Sequence, residues 1–279
     1  VLVNFTGGFG ETLKAQVAKF AAHPDRFIVF ANVDWSRINE PNFGQQAAQQ
    51  LEADVKAGAR GLKIFKNLGL TIKDKTGKLV AIDDPRLDPI WAKAGELGIP
   101  VAIHSADPDA FFQPIDRFNE RYEELQQHPD WSFYGTQFPT KEVLLRQRNH
   151  IIERHPRTTF VALHVANHPE NLAEVATWLD RYPNMYVEVG ARLNELGRQP
   201  YTARRFFMKY ADRILFGTDS TPAASTYRTW FRFLETYDEH FDYFTRPTQG
   251  RWKIYGIGLP EEVLEKVYRG NAKKLLKLN

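Results

Sequence analysis

Short continuous runs of apolar residues alternate with longer stretches in which apolar positions recur every three or four residues. A short unbroken apolar run suits a strand buried on both faces, and the longer periodicity suits a helix packed across it. The pattern therefore predicts repeated βαβ units around a parallel sheet. Strands are expected at 1–6, 26–33, 61–65, 99–104, 158–164, 184–190 and 213–219. Helices are expected at 11–22, 43–57, 85–97, 140–154, 169–181, 201–210 and 260–276. Asp84 is placed to cap the third helix with Pro85 in its first turn, and Pro260 opens the last. An excursion at about 105–139, with its own short helix near 115–127, interrupts the rhythm, and an aromatic-rich stretch at 226–252 precedes the closing helix. There is no internal repeat beyond this rhythm and no Pro/Gly/Ser linker, so residues 1–279 read as one domain.

Three strands end in residues that bind metals. Ile99-Pro-Val-Ala-Ile-His104, Thr159-Phe-Val-Ala-Leu-His164 and Arg213-Ile-Leu-Phe-Gly-Thr-Asp219 are each followed by loop. In parallel barrels the catalytic residues gather at the C-terminal ends of strands, so three matched ends point to one shared site. Neutral imidazole and carboxylate suit a divalent ion, and an aspartate there can also take a proton from bound water. The structural alternative is a pair of satisfied core histidines and an Asx turn at Asp219. His23, His128, His155 and His168 all precede proline, and with His150 and His240 they read as structural.

Lys63 ends another strand in Gly-Leu-Lys-Ile-Phe-Lys66, with Lys66 as its rival for contact with a substrate anion. Glu188 and Arg192, in Val-Glu-Val-Gly-Ala-Arg, are substrate-contact candidates. The planar guanidinium suits a carboxylate, and an ion pair between Arg192 and Glu188 is the competing reading. Phe111, Phe112, Trp131 and Tyr134 are placed either to form an apolar lid or to pack on their own excursion.

Composition narrows the function classes. A net charge of +3 and the absence of a basic stripe argue against nucleic acid. With no cysteine, disulfides, thiolate nucleophiles and Cys-ligated zinc are excluded. No apolar run approaches the roughly 18–20 residues of a membrane span. The expected partner is a small molecule; self-association and compartment are left open.

The strand-end residues, with Gly-Thr-Asp219-Ser directly after Ile-Leu-Phe, resemble the amidohydrolase superfamily, particularly its amidohydrolase-related branch. Tyr268-Arg-Gly-Asn-Ala-Lys-Lys-Leu-Leu276 is similar to that branch's terminal helix, where an Asn-Ala pair recurs. The resemblance implies an α/β fold, a distorted (β/α)8 TIM barrel of the metal-dependent hydrolase type. It assigns the metal to His104 and Asp219, with zinc the expected ion, and gives His164 a second metal or the substrate. Lys63 falls where some members carry a carboxylated lysine that bridges two metals. The family's His-x-His pair on strand one does not occur in this sequence. Because Val1 is not a start residue, the only methionines are Met185 and Met208, and seven strands are predicted, the first strand and its ligands are expected upstream. The reaction implied first is hydrolysis of an amide, ester or lactone: metal-activated water attacks, Asp219 takes its proton and His164 stabilises the oxyanion. Non-oxidative decarboxylation on the same site, as in aminocarboxymuconate-semialdehyde decarboxylase, is the alternative. A non-catalytic barrel with an incomplete metal site is the third reading.

Overall fold

All seven predicted strands form, each shorter than its apolar run: β1 (Leu2–Asn4), β2 (Phe27–Val29), β3 (Leu62–Ile64), β4 (Val101–Ile103), β5 (Phe160–Ala162), β6 (Met185–Glu188) and β7 (Ile214–Leu215). The computed structural model describes residues 2–243 and 249–278. Every pairing is parallel and follows sequence order. β1 pairs with β2, β3 through β7 form one five-stranded sheet, and a parallel bridge between Ala31 and Leu62 joins the two. Among the described residues β1 and β7 are the two edges. Helices including Gly10–Phe20, Phe43–Lys56, Asp88–Leu97, Lys141–Arg154, Leu172–Arg181 and Pro200–Lys209 supply the crossovers that parallel strands require.

Strand alternation sorts the side chains into two cores. Val29, Leu62, Ile64, Val101, Ile103, Phe160, Ala162, Met185, Val187 and Ile214 belong to the larger core, beneath the helices. The opposite parity, Ile28, Phe30, Ala102, Val161, Leu163 and Leu215, packs together with Val3, Phe5 and Tyr186 inside the curved sheet. Leu276, flanked by Ala272, Leu275 and Leu278, completes this interior cluster. These leucines lie where the strands begin: Arg60, just before β3, donates to Leu276 O at 3.1 Å, and Lys277 donates to Gly98 O, ahead of β4, at 3.2 Å. The Asn-Ala pair serves this floor. Buried Asn271 Nδ2 donates to Ala211 O at 2.7 Å and Ile214 O at 2.8 Å, tying the closing helix to β7.

Several expectations need correction. The aromatic-rich stretch, for which the pattern predicts no element, overlaps a helix, Ala224–Glu235, whose buried Trp230, Phe233 and Leu234 are spaced by three and four. Exposed Phe231 blurs that periodicity; residues 244–248 of the stretch lie outside the described residues. The closing helix is interrupted by a π-helical turn, Lys266–Gly270, which brings Val267 O to Phe216 N at 3.1 Å. In the excursion, Phe112, Phe133 and Phe138 pack ring to ring at 5.7 and 5.3 Å, while Trp131 stacks on His128 at 4.0 Å. Phe112 and Trp131 thus pack on their own segment, as the second of the two readings has it. The excursion is tied down by Arg121–Glu195, Glu120–Arg198 and Glu123–Arg251 ion pairs.

Candidate active site

His104, His164 and Asp219 follow β4, β5 and β7 at the end of the barrel opposite the leucine floor. The two imidazoles meet edge to face with centroids 4.4 Å apart, and His164 Nε2 is 4.0 Å from Asp219 Oδ2. Burial holds both histidines below their usual pKa, so both are neutral near pH 7. Their tautomers follow from their neighbours. His164 Nδ1 lies 2.9 Å from Gly190 O, which can only accept, so Nδ1 carries the proton and Nε2 the lone pair. His104 Nε2 lies 3.1 Å from Ala106 O and 3.3 Å from Asp107 Oδ1, again acceptors, which leaves the lone pair on Nδ1.

The backbone at these strand ends is strained. His164, Val165, Ala166 and Asn167 have φ of 58°, 54°, 55° and 54°, a full left-handed turn without glycine. With Ala191 and Asp219, they make six of the nine non-glycine residues of positive φ among the described residues. Each residue in this region costs about 1–2 kcal/mol, and such strain concentrates at functional sites. Asn167 Oδ1 helps hold the turn by accepting from Ser105 N at 2.9 Å.

Glu188 joins the ends of β5, β6 and β7. Its Oε1 accepts from Gly190 N at 2.6 Å and its Oε2 from His164 N at 3.5 Å. A Cβ at Gly217 would lie 2.0 Å from Oε1, so β7 must pass this carboxyl as glycine. Burial, reinforced by Asp219, raises the Glu188 carboxyl to about 7. Lys63 projects inward from β3 with its ammonium over the rings of Phe5 and Phe65, at 4.8 and 4.9 Å. Burial brings it down to about 8, opposed by the charges of Asp219 and Glu188.

Asp107, which the sequence did not single out, organises the cationic side of the site. It is buried and contacts Lys66 Nζ, His104 Nε2 and, at 3.8 Å, Arg192 Nη2. Burial acts to raise its pKa, but these three neighbours outweigh it and hold the carboxyl well below the usual range. The alternative reading, an Arg192–Glu188 ion pair, does not form among the described residues. The left-handed Ala191 breaks the strand alternation and turns Arg192 toward Asp107, and its buried Nε has no hydrogen-bond partner. The only available signal for Asp107 was its place three residues beyond His104.

A second cluster lies elsewhere. Asp109, His168 and Glu170 are the one set of three metal-ligand side chains, among the described residues, whose donor atoms all fall within 4.8 Å of one another. Buried Lys141 already pairs with both carboxylates and offsets one of their two charges, with Nζ 2.5 Å from Asp109 Oδ1 and 3.1 Å from Glu170 Oε2. His104, His164 and Asp219 are more open than this. A tetrahedral ion would bring neighbouring donors to roughly 3.4 Å, from metal–donor bonds of about 2.1 Å. The half-exposed Asp219 has room to make that adjustment. Two neutral rings with assigned lone pairs and an accessible carboxylate are a donor set that suits a divalent ion.

Parallel strands in sequence order, an apolar interior and polar strand ends define an α/β barrel enzyme fold of the TIM type. The family model for Amidohydrolase matches residues 2–278, so the chain belongs to the amidohydrolase family. No curated protein matches the sequence significantly. An uncharacterised TIM-barrel protein from Bordetella bronchiseptica is similar in structure at 22% identity, with a TM-score of 0.60 over 95% of this chain and 72% of that one. A dihydroxybenzoic acid decarboxylase from a Polaromonas species, solved with manganese and the inhibitor 2-nitroresorcinol, gives 19% and 0.59 over 96% and 73%. Dihydroorotase from Campylobacter jejuni gives 15% and 0.51 over 95% and 70%. The family and its structural neighbours thus include decarboxylases and hydrolases.

Proposed function

We propose that this protein is a metal-dependent decarboxylase of a small carboxylic acid, with His104, His164 and Asp219 holding the ion. The observation that carries the reading is the cationic wall: Arg192 and Lys66 converge on Asp107 beside His104, and Lys63 lies inside the barrel next to Glu188 and Asp219. Asp107 and Asp219 offset two of these three cations, and Glu188 is substantially protonated near pH 7. An anionic substrate completes the balance, whereas a neutral amide would leave buried cations poorly compensated. Arg192 offers a planar fork for the substrate carboxylate, and its Nε has a donor to spare. A divalent ion held by His104, His164 and Asp219 would supply Lewis acidity at the strand ends. In the reaction the bond to the carboxylate carbon breaks, carbon dioxide leaves, and the electron pair stays on the substrate carbon, which takes a proton. Asp219, exposed and facing the site, is positioned to carry that proton. The likeness to a dihydroxybenzoic acid decarboxylase supports the same class.

Hydrolysis of an amide, ester or lactone is the second reading. It is favoured by the 4.0 Å approach of Asp219 to the lone-pair nitrogen of His164, an arrangement suited to moving a proton from water. Assays of hydroxybenzoic and other small carboxylic acids, with manganese or zinc added, separate the two. Metal-dependent release of carbon dioxide, lost in Arg192→Lys, is the expected result. Ester or lactone hydrolysis without carbon dioxide release would overturn the first reading in favour of the second.

A further inference from the structure

Arg148 lies outside the barrel, on the helix Lys141–Arg154, and is fully buried. Among the described residues it has no carboxylate partner. Instead its guanidinium lies over the ring of Trp178 at 4.7 Å, and its Nε and Nη2 donate to Asn149 Oδ1 at 3.1 and 2.7 Å. The remaining donor, Nη1, reaches the carbonyl of Ala166. That carbonyl belongs to the left-handed turn of residues 164–167, which begins at His164. Two unfavourable features therefore meet at one hydrogen bond: a buried cation with no carboxylate in ion-pair contact and a run of strained residues. Packing alone does not explain the buried cation, because an apolar side chain would fill the Arg148 site without burying a charge.

We propose that Arg148 is a positioning residue, which clamps the left-handed turn and so fixes the plane of the His164 imidazole. Asn149 and Trp178 hold the guanidinium flat, and Arg148 fixes the Ala166 carbonyl. The turn then delivers His164 with Nδ1 on Gly190 O and Nε2 toward Asp219. Asn167, at the end of the same turn, binds Ser105 N next to His104, so the clamp also sets one histidine against the other. The inference rests on the proposed function only in giving His164 a task.

The test is the His164 ring resonance in the full-length protein, identified by its loss in His164→Asn. Arg148→Met removes the donor and keeps much of the volume; Arg148→Lys retains one donor. Arg148→Met is expected to move the His164 resonance but not that of His23, and Arg148→Lys should move it less. Turnover should fall about 10–10²-fold with KM nearly unchanged, the effect of a misplaced group rather than lost binding. A folded Arg148→Met with the His164 resonance unmoved would overturn the proposal. If Arg148→Met does not fold, Asn149→Ala, which frees the guanidinium, decides by the same criterion. Activity surviving in His164→Asn would remove the catalytic reading, while a shifted resonance in the Arg148 variants would still support the clamp.

Discussion

Where the strands begin, the barrel interior is closed by Leu275, Leu276 and Leu278, which cluster with Ile28, Ala102 and Val161; where they end, it holds Glu188, His104 and His164, with Lys63 reaching toward them from mid-strand. The floor is apolar. The mouth concentrates buried ionisable groups, a lysine brought down to about 8 and a glutamate raised to about 7, together with most of the strained backbone. Stability and chemistry are thus separated along one set of short strands, and a site so costly to bury is maintained for function rather than for folding.

Substitutions at the two ends should behave oppositely. Asp219→Asn is expected to lower turnover by about 10⁴-fold, the upper range for a group that moves a proton, with folding intact. Steady-state kinetics beside a thermal melt measure both, and full activity would remove Asp219 from the mechanism. At the floor, Leu276→Ala should cost about 2–5 kcal/mol in denaturant unfolding while activity per folded molecule stays unchanged. A large activity loss at unchanged stability would contradict the division.

Glu188 sharpens the comparison through pH. Its folded pKa, about 7, lies above the ordinary 4.5, so the folded state holds the proton more tightly. Stability from this group is fully present below about pH 4.5 and is lost as pH rises through 7, a change of about 3 kcal/mol. In chelator-treated protein, Glu188→Gln should flatten this fall relative to wild type; parallel curves would contradict the assignment. The smallest expected effect is at Gly217, where alanine must displace the Glu188 carboxyl. Gly217→Ala should cost about 1–3 kcal/mol and reduce activity, whereas neutrality would mean that Glu188 has room the geometry denies it.

The seven strands were legible because each is a short apolar run buried on both faces, a signal carried by consecutive residues. The three strand ends were legible because His104, His164 and Asp219 terminate such runs. The helix Ala224–Glu235 was hidden because aromatics on its exposed face matched those on its buried face. Asp107 and Arg148 were hidden for another reason. Their partners Arg192 and Ala166 are remote in sequence, and nothing local distinguishes a buried aspartate or arginine from a solvated one. The left-handed turn at 164–167 was equally silent, since His-Val-Ala-Asn has no glycine to announce a positive φ.

The central claim is that the strand ends, not the Asp109–His168–Glu170 cluster, hold a divalent ion. Anomalous diffraction from crystals of the protein soaked in manganese tests it directly. The account predicts one strong peak bordered by His104, His164 and Asp219. A peak among Asp109, His168 and Glu170 with none at the strand ends would contradict it.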